Sequence, residues 1–243
     1  IGSNDGNLLS NFKDNHKVLG ITPEEIGKLA IERGIPTIID YFSLNLAKKV
    51  SAEKGKAKII TATNVFAHIE NIHSILDGIL ELLAEDGMFI SESHYLLSLI
   101  ETLQYDTIYH EHLRYYSLHS LKYLLEMHGL EVVHAKKIPT HGGSIRVYAA
   151  RKGKYMAKAT VAELLEEEKP VVLDKKKLLE FKDSVVVSKL ALHSLLMGIK
   201  KQGKKVYGIG APSRASTLIN YVGIDGGIMD CVLEIKGSHK VNK

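Results

Sequence analysis

Cysteine is almost missing: Cys231 stands alone among 243 residues. A disulfide framework and a thiolate zinc site within this chain are both excluded, and such sparse usage fits a reducing compartment, which makes a cytoplasmic location the expectation. Tryptophan is absent and proline occurs five times, which excludes collagen-like and proline-rich disordered classes. No stretch approaches about 18 uninterrupted apolar residues, so no membrane span is expected. No signal peptide is visible, and the opening at Ile1 in place of Met raises the expectation of a fragment. Aromatic and basic residues are not interleaved as in an RNA-binding surface, so no nucleic-acid partner is expected.

What is present is unevenly distributed. Residues 1–150 hold 14 basic and 18 acidic side chains, whereas residues 151–243 hold 18 and 10. A basic second half suits an anionic partner, although solvated lysines on helix faces produce the same count. Nine of the 12 histidines lie between His68 and His141, and six of the 11 tyrosines between Tyr95 and Tyr123. Imidazoles and phenols crowded together serve proton transfer near neutral pH.

Short apolar runs alternate with helical patterns through the first 150 residues. Val18–Ile21, Ile38-Ile39 and Ile59-Ile60 read as strands, and Pro23–Arg33 and His73–Leu83 as helices, with Gly34 and Gly87 placed as C-terminal caps. Gly87–Ser91, Gly129–Val133 and Ser144–Arg151 continue the series. This alternation predicts an α/β fold with a doubly wound, mostly parallel sheet. Residues 158–202 carry no strand signal; Leu178, Phe181, Val185, Leu192, Leu195 and Ile199 form a helical stripe. Strand, helix and strand then return at Lys205–Ile209, Pro212–Tyr221 and Ile228–Ile235, the start of a second α/β domain. The expected division is residues 1–152, a helical connector over 153–203, and a partial C-terminal α/β domain over 204–243.

Gly2-Ser3-Asn4-Asp5-Gly6 is a glycine-bounded turn leading into a helix, of the kind that lets a ligand approach the backbone closely. A carboxylate at Asp5 would repel a pyrophosphate and suits an ammonium or sulfonium group, as in S-adenosylmethionine. About 20 residues on, where dinucleotide-type folds place an acid for the ribose hydroxyls, the chain has Thr22. Asn64 and His68 follow a predicted strand at its carboxyl edge, where ligands collect in such sheets. Tyr109-His110-Glu111-His112 supplies an imidazole, a carboxylate and a phenol, the parts of an acid–base site. Two histidines flanking Glu111 also invite a metal reading, but no third ligand has the spacing for it, so no metal is expected in this chain.

These segments occur in order with Thr140-His141-Gly142-Gly143-Ser144-Ile145-Arg146, Gly208-Ile209-Gly210-Ala211-Pro212-Ser213-Arg214 and Leu218-Ile219-Asn220-Tyr221. The set, spanning nearly the whole chain, resembles the S-adenosylmethionine-dependent sugar C-methyltransferases, which act on nucleotide-linked 4-keto-deoxysugars. The resemblance implies a Rossmann-like methyltransferase domain and a base that removes the proton beside the ketone, so that the enolate attacks the sulfonium methyl. It implies His112 as base, Glu111 as its orienting partner, Tyr109 as a donor near the enolate, and Asn64 and His68 near the sugar ring. Gly2, Asn4, Asp5, Gly6, Thr22 and Asn64 would line the cofactor site. His110, His141, Gly143, Ser144, Arg146, Gly210, Ser213, Arg214 and Asn220 would contact the nucleotide sugar, with the turn before Arg214 as the diphosphate site. The family has an acid where this chain has Thr22, and its zinc-binding cysteine module and its Pro-Gly-rich continuation are not in this sequence. Two rivals stay open. One is a nicotinamide-dependent oxidoreductase, from Gly208, Gly210 and Glu234; the other is a non-catalytic nucleotide-sugar-binding module, which Thr22 favours.

Overall fold

The computed structural model describes residues 1–238. The opening residues form the glycine turn and a one-turn helix, α1 (Asn7–Ser10). Then follow β1 (Gly20–Thr22), α2 (Gly27–Glu32), β2 (Thr37–Ile39), α3 (Leu44–Lys54), β3 (Ala57–Thr63), α4 (Ile72–Leu82) and β4 (Leu83–His94). After α5 (Leu96–Glu101) come α6 (Leu118–Met127), β5 (Leu130–Ile138) and β6 (Ser144–Arg151). The last part has α7 (Ala159–Val172), α8 (Lys175–Lys201), β7 (Tyr207–Ile209), α9 (Ala215–Val222) and β8 (Cys231–Leu233).

Two compact units result. The first is Ile1–Leu96 with Leu113–Lys169, and the second is Leu97–His112 with Pro170–Lys243. This division departs from the one expected at 152 and 203: residues 97–112 leave the first α/β part and pack with the C-terminal one. The last five residues of the 204–243 segment lie outside the described residues.

In the first unit, β1 and β2 form a parallel pair, and a four-stranded sheet has the order β3-β4-β6-β5. β3 and β4 are parallel, while β6 is antiparallel to both β4 and β5. One reversed strand thus interrupts an otherwise parallel set, because the short turn from Pro139 to Gly143 between β5 and β6 can only return the chain antiparallel. The opening residues lie between the two sheets: the Ile1 ammonium donates to Thr61 O at 2.8 Å, and Gly2 N–H donates to Ile21 O at 2.8 Å. Strands and helices share a core in which Phe66, Leu76, Ile79, Phe89, Leu121, Leu125 and Val147 are almost wholly buried. Burial at about 1.5–3 kcal/mol for each large apolar side chain is the main term holding this unit.

Gly87 is not a helix cap. α4 ends at Leu82, Leu83 is already extended, and Gly87 lies inside β4, where a Cβ would meet Leu83 Cδ1 at 2.8 Å and Ala57 O at 3.0 Å. The helix expected over Pro23–Arg33 is shorter, beginning at Gly27. Glu168 of α7 is fully buried. It accepts hydrogen bonds from Tyr95 Oη and the Leu118 and His119 backbone N–H groups, and meets His119 Nδ1. A carboxylate at the positive end of α6 satisfies donors that a helix start leaves open.

In the second unit, β7 and β8 form a parallel pair joined through α9. The residues of both strands are largely exposed.

Candidate active site

In the first unit the Gly2–Gly6 turn sits at the carboxyl ends of β1 and β3. Gly2, Asn4 and Gly6 all have positive φ, at 65°, 48° and 77°. Two of these positions also exclude a side chain on steric grounds. A Cβ on Gly2 would lie 2.5 Å from Val65 Cγ2, and one on Gly6 would lie 2.7 Å from Ile35 Cδ1 and 2.8 Å from Ala30 Cβ. The turn therefore packs on the segment that carries Asn64. Asn64 itself has φ 54° and donates its N–H to Glu92 O at 2.8 Å. Exposed His68 closes the short 3-10 turn Phe66–His68.

Asp5 accepts from the Asn7 N–H at 3.2 Å and from the Arg33 guanidinium at 2.8 Å. The hydrogen bond from Arg33, then that from Asn7, holds its carboxyl below the usual range. Thr22 is buried, and neither its hydroxyl nor that of Ser3 has a hydrogen-bond partner. Glu92 of β4, 6% exposed, takes both Nε (3.0 Å) and NH2 (2.8 Å) of Arg146, and Thr140 Oγ1 donates to it at 3.3 Å. Arg146, expected at the substrate, is thereby an internal partner of Glu92. Ser144 is buried and donates to Thr140 O at 3.0 Å. His141 is exposed with φ 53°, and Gly143 O accepts from Tyr95 N–H at 3.1 Å.

In the second unit, residues 105–112 and α9 are joined. Arg214 Nε lies 3.4 Å from Asp106 Oδ2, Thr217 Oγ1 donates to Ile108 O at 2.9 Å, and Tyr105 meets the ring of Tyr221 edge-on at 5.7 Å. Within the turn, His112 Nδ1 is 3.0 Å from Thr107 O. A carbonyl can only accept, so Nδ1 is the donor in this contact, and Nε2 faces Tyr109. Tyr109 Oη lies 3.5 Å from that Nε2 and donates to Glu111 Oε2 at 3.2 Å. Glu111 also stands 3.9 Å from His110 Nε2. The group that meets His112 Nδ1 is thus the Thr107 carbonyl, whereas the Glu111 carboxylate, expected in that place, reaches Tyr109 and His110.

Gly210 has φ 71° and donates to Leu233 O at 2.8 Å. The Ala211 N–H of the same turn donates to Glu234 Oε2 at 3.3 Å, so this amide already serves a carboxylate. Asn220 donates to Ser216 O within α9 at 2.8 Å, and Ser213 O accepts from Ser216 Oγ at 2.8 Å.

Sequence reading did not find Asp106, Thr107, Glu92 or Arg33. Glu92 carried a signal, an acid inside an apolar strand that must find a partner. Asp106 and Thr107 directly precede the Tyr109 motif, but their roles depend on a helix about 110 residues later. Among the described residues, no group of three or more His, Cys, Asp or Glu is placed to hold a metal ion. No helix among them is long and apolar enough to cross a membrane.

A glycine turn at the carboxyl edge of this sheet, with one reversed strand near its far edge, is the architecture of a methyltransferase domain. Residues 1–135 match the family model described as a methyltransferase domain, and residues 139–243 match the C-methyltransferase C-terminal domain. The chain belongs to the methyltransferase-domain family matched over residues 1–135. The C-methyltransferase NovU of Streptomyces niveus is 37% identical over 227 residues, covering 92% of this chain and 54% of that protein. The chain thus spans about half the length of this curated relative. In fold it is similar to the PH0226 protein of Pyrococcus horikoshii OT3, with a TM-score of 0.50 and 14% identity over 62% of this chain and 79% of that one.

Proposed function

We propose that this chain carries the catalytic parts of an S-adenosylmethionine-dependent C-methyltransferase acting beside the ketone of a nucleotide-linked 4-keto-deoxysugar. The observation that carries the reading is the Tyr109–His112 turn, where His112 Nδ1 lies 3.0 Å from Thr107 O and Tyr109 Oη lies 3.5 Å from Nε2. The residues of the first unit fit the cofactor. Gly2, Asn4 and Gly6 hold the turn in left-handed backbone, and the Ser3 and Thr22 hydroxyls are buried without partners. When bound, S-adenosylmethionine supplies an electrophilic methyl group. His112 Nε2 takes the proton from the carbon beside the ketone, and the electron pair moves to the ketone oxygen. Tyr109, beside Nε2, stabilises that oxygen by turning its single O–H from Glu111 to it. Arg214 and Ser213, at the start of α9, are the anion-binding end for the diphosphate.

The test substitutes His112 in this protein. His112→Ala should lose about 10²–10⁴-fold in turnover, the range for a general base, with S-adenosylhomocysteine affinity retained. Solvent deuterium should also stop entering the carbon beside the ketone. Persistent exchange at that carbon in His112→Ala refutes the assignment.

A further inference from the structure

We infer that Asp106 is a positioning residue that competes with an anionic ligand for Arg214 and transmits the ligand's arrival to His112. The inference rests on the reading of Arg214 as an anion-binding group. Three separate contacts bind residues 105–108 to α9: the Asp106–Arg214 ion pair, the Thr217–Ile108 hydrogen bond and the Tyr105–Tyr221 ring contact. Lys189 of α8, 4.6 Å above the Tyr221 ring, backs the same face. Their consequence is visible in the partition of the chain, since residues 97–112 cluster with the C-terminal unit. Thr107, whose carbonyl meets the His112 ring, lies between Asp106 and Ile108, the two residues held by α9. A phosphate group drawing Arg214 away would leave the Asp106 carboxylate uncompensated one residue from that carbonyl. The Thr217–Ile108 bond keeps the turn attached to α9 while this happens. The site for the charged end of a ligand and the carbonyl that meets the His112 ring are therefore mechanically one piece.

The partly exposed pair, with side chains 49% and 28% accessible, sets the scale of the competition. The experiment follows the His112 Cε1–H resonance in the full chain, assigned by its loss in His112→Gln, while inorganic pyrophosphate is titrated. In the wild-type protein pyrophosphate should move this resonance. Asp106→Asn should bind pyrophosphate tighter by roughly two- to five-fold, as loss of a partly exposed ion pair allows, and its His112 resonance should respond less than half as far. Thr217→Val should bind with unchanged affinity and also show a reduced response. It removes no charge, so it serves as a second readout if Asp106→Asn melts early. An unchanged affinity or an unchanged response in well-folded Asp106→Asn overturns the inference, as does a full response in Thr217→Val. Wild-type affinity in Arg214→Gln refutes instead the anion-site reading, and absence of binding to the wild-type protein refutes both.

Discussion

Gly6→Ala should destabilise the first unit by about 2–5 kcal/mol, and its magnitude can be built from two separable costs. The first is conformational: Gly6 has φ 77°, and an alanine held in the left-handed region costs about 1–2 kcal/mol. The second is steric. The new methyl would lie 2.7 Å from Ile35 Cδ1 and 2.8 Å from Ala30 Cβ, and both neighbours are fully buried, so neither can swing into solvent. Overpacking of this kind costs about 1–3 kcal/mol. Gly34 supplies the control, since its φ is 75° but a Cβ there meets nothing within 4 Å. Gly34→Ala should therefore cost only the conformational part, about 1–2 kcal/mol. Urea unfolding followed by circular dichroism compares the two, and with a slope of about 3 kcal/mol/M the extra steric part moves the midpoint by about 0.3–1 M. Equal midpoints for the two variants would refute the claim that Gly6 is required by packing as well as by backbone conformation.

Glu168→Ala should cost about 3–5 kcal/mol, since it strands buried donors of Tyr95, Leu118 and His119, and Glu168→Gln should lose less because an acceptor oxygen remains; thermal melting ranks them, and a neutral Glu168→Ala would refute the capping role. His134, bonded to Thr160 Oγ1 at 2.7 Å, is held below its ordinary value of 6.5 by burial first and then by Lys158 and Lys136. It binds fewer protons folded than unfolded, so its stabilisation is complete above about pH 6.5 and is lost as the pH falls below that value. Wild-type protein should accordingly lose more stability on acidification from pH about 7.5 to about 5.5 than His134→Gln does; parallel losses in denaturant titrations at the two pH values would contradict the assignment.

The α/β alternation was legible in the sequence because strand and helix periodicities are local, and β6 has the bounds its pattern predicts. The glycine turn was equally legible, since Gly2 and Gly6 both take the positive φ that such a turn needs. Helix ends were less so. α2 begins at Gly27 and Gly87 enters a strand, because long-range pairing between β3 and β4 outweighs the local preference for a cap. Tertiary structure alone decided which groups meet. Asp5 finds Arg33 across 28 residues, Arg146 finds Glu92 across 54, and Asp106 finds Arg214 across 108. Nothing in the spacing announces these pairs, since each depends on how strands and helices separated in the chain come to lie side by side. The contact of His112 has the same origin: the imidazole is plain in the sequence, but the folded turn supplied the Thr107 carbonyl that lies 3.0 Å from its Nδ1.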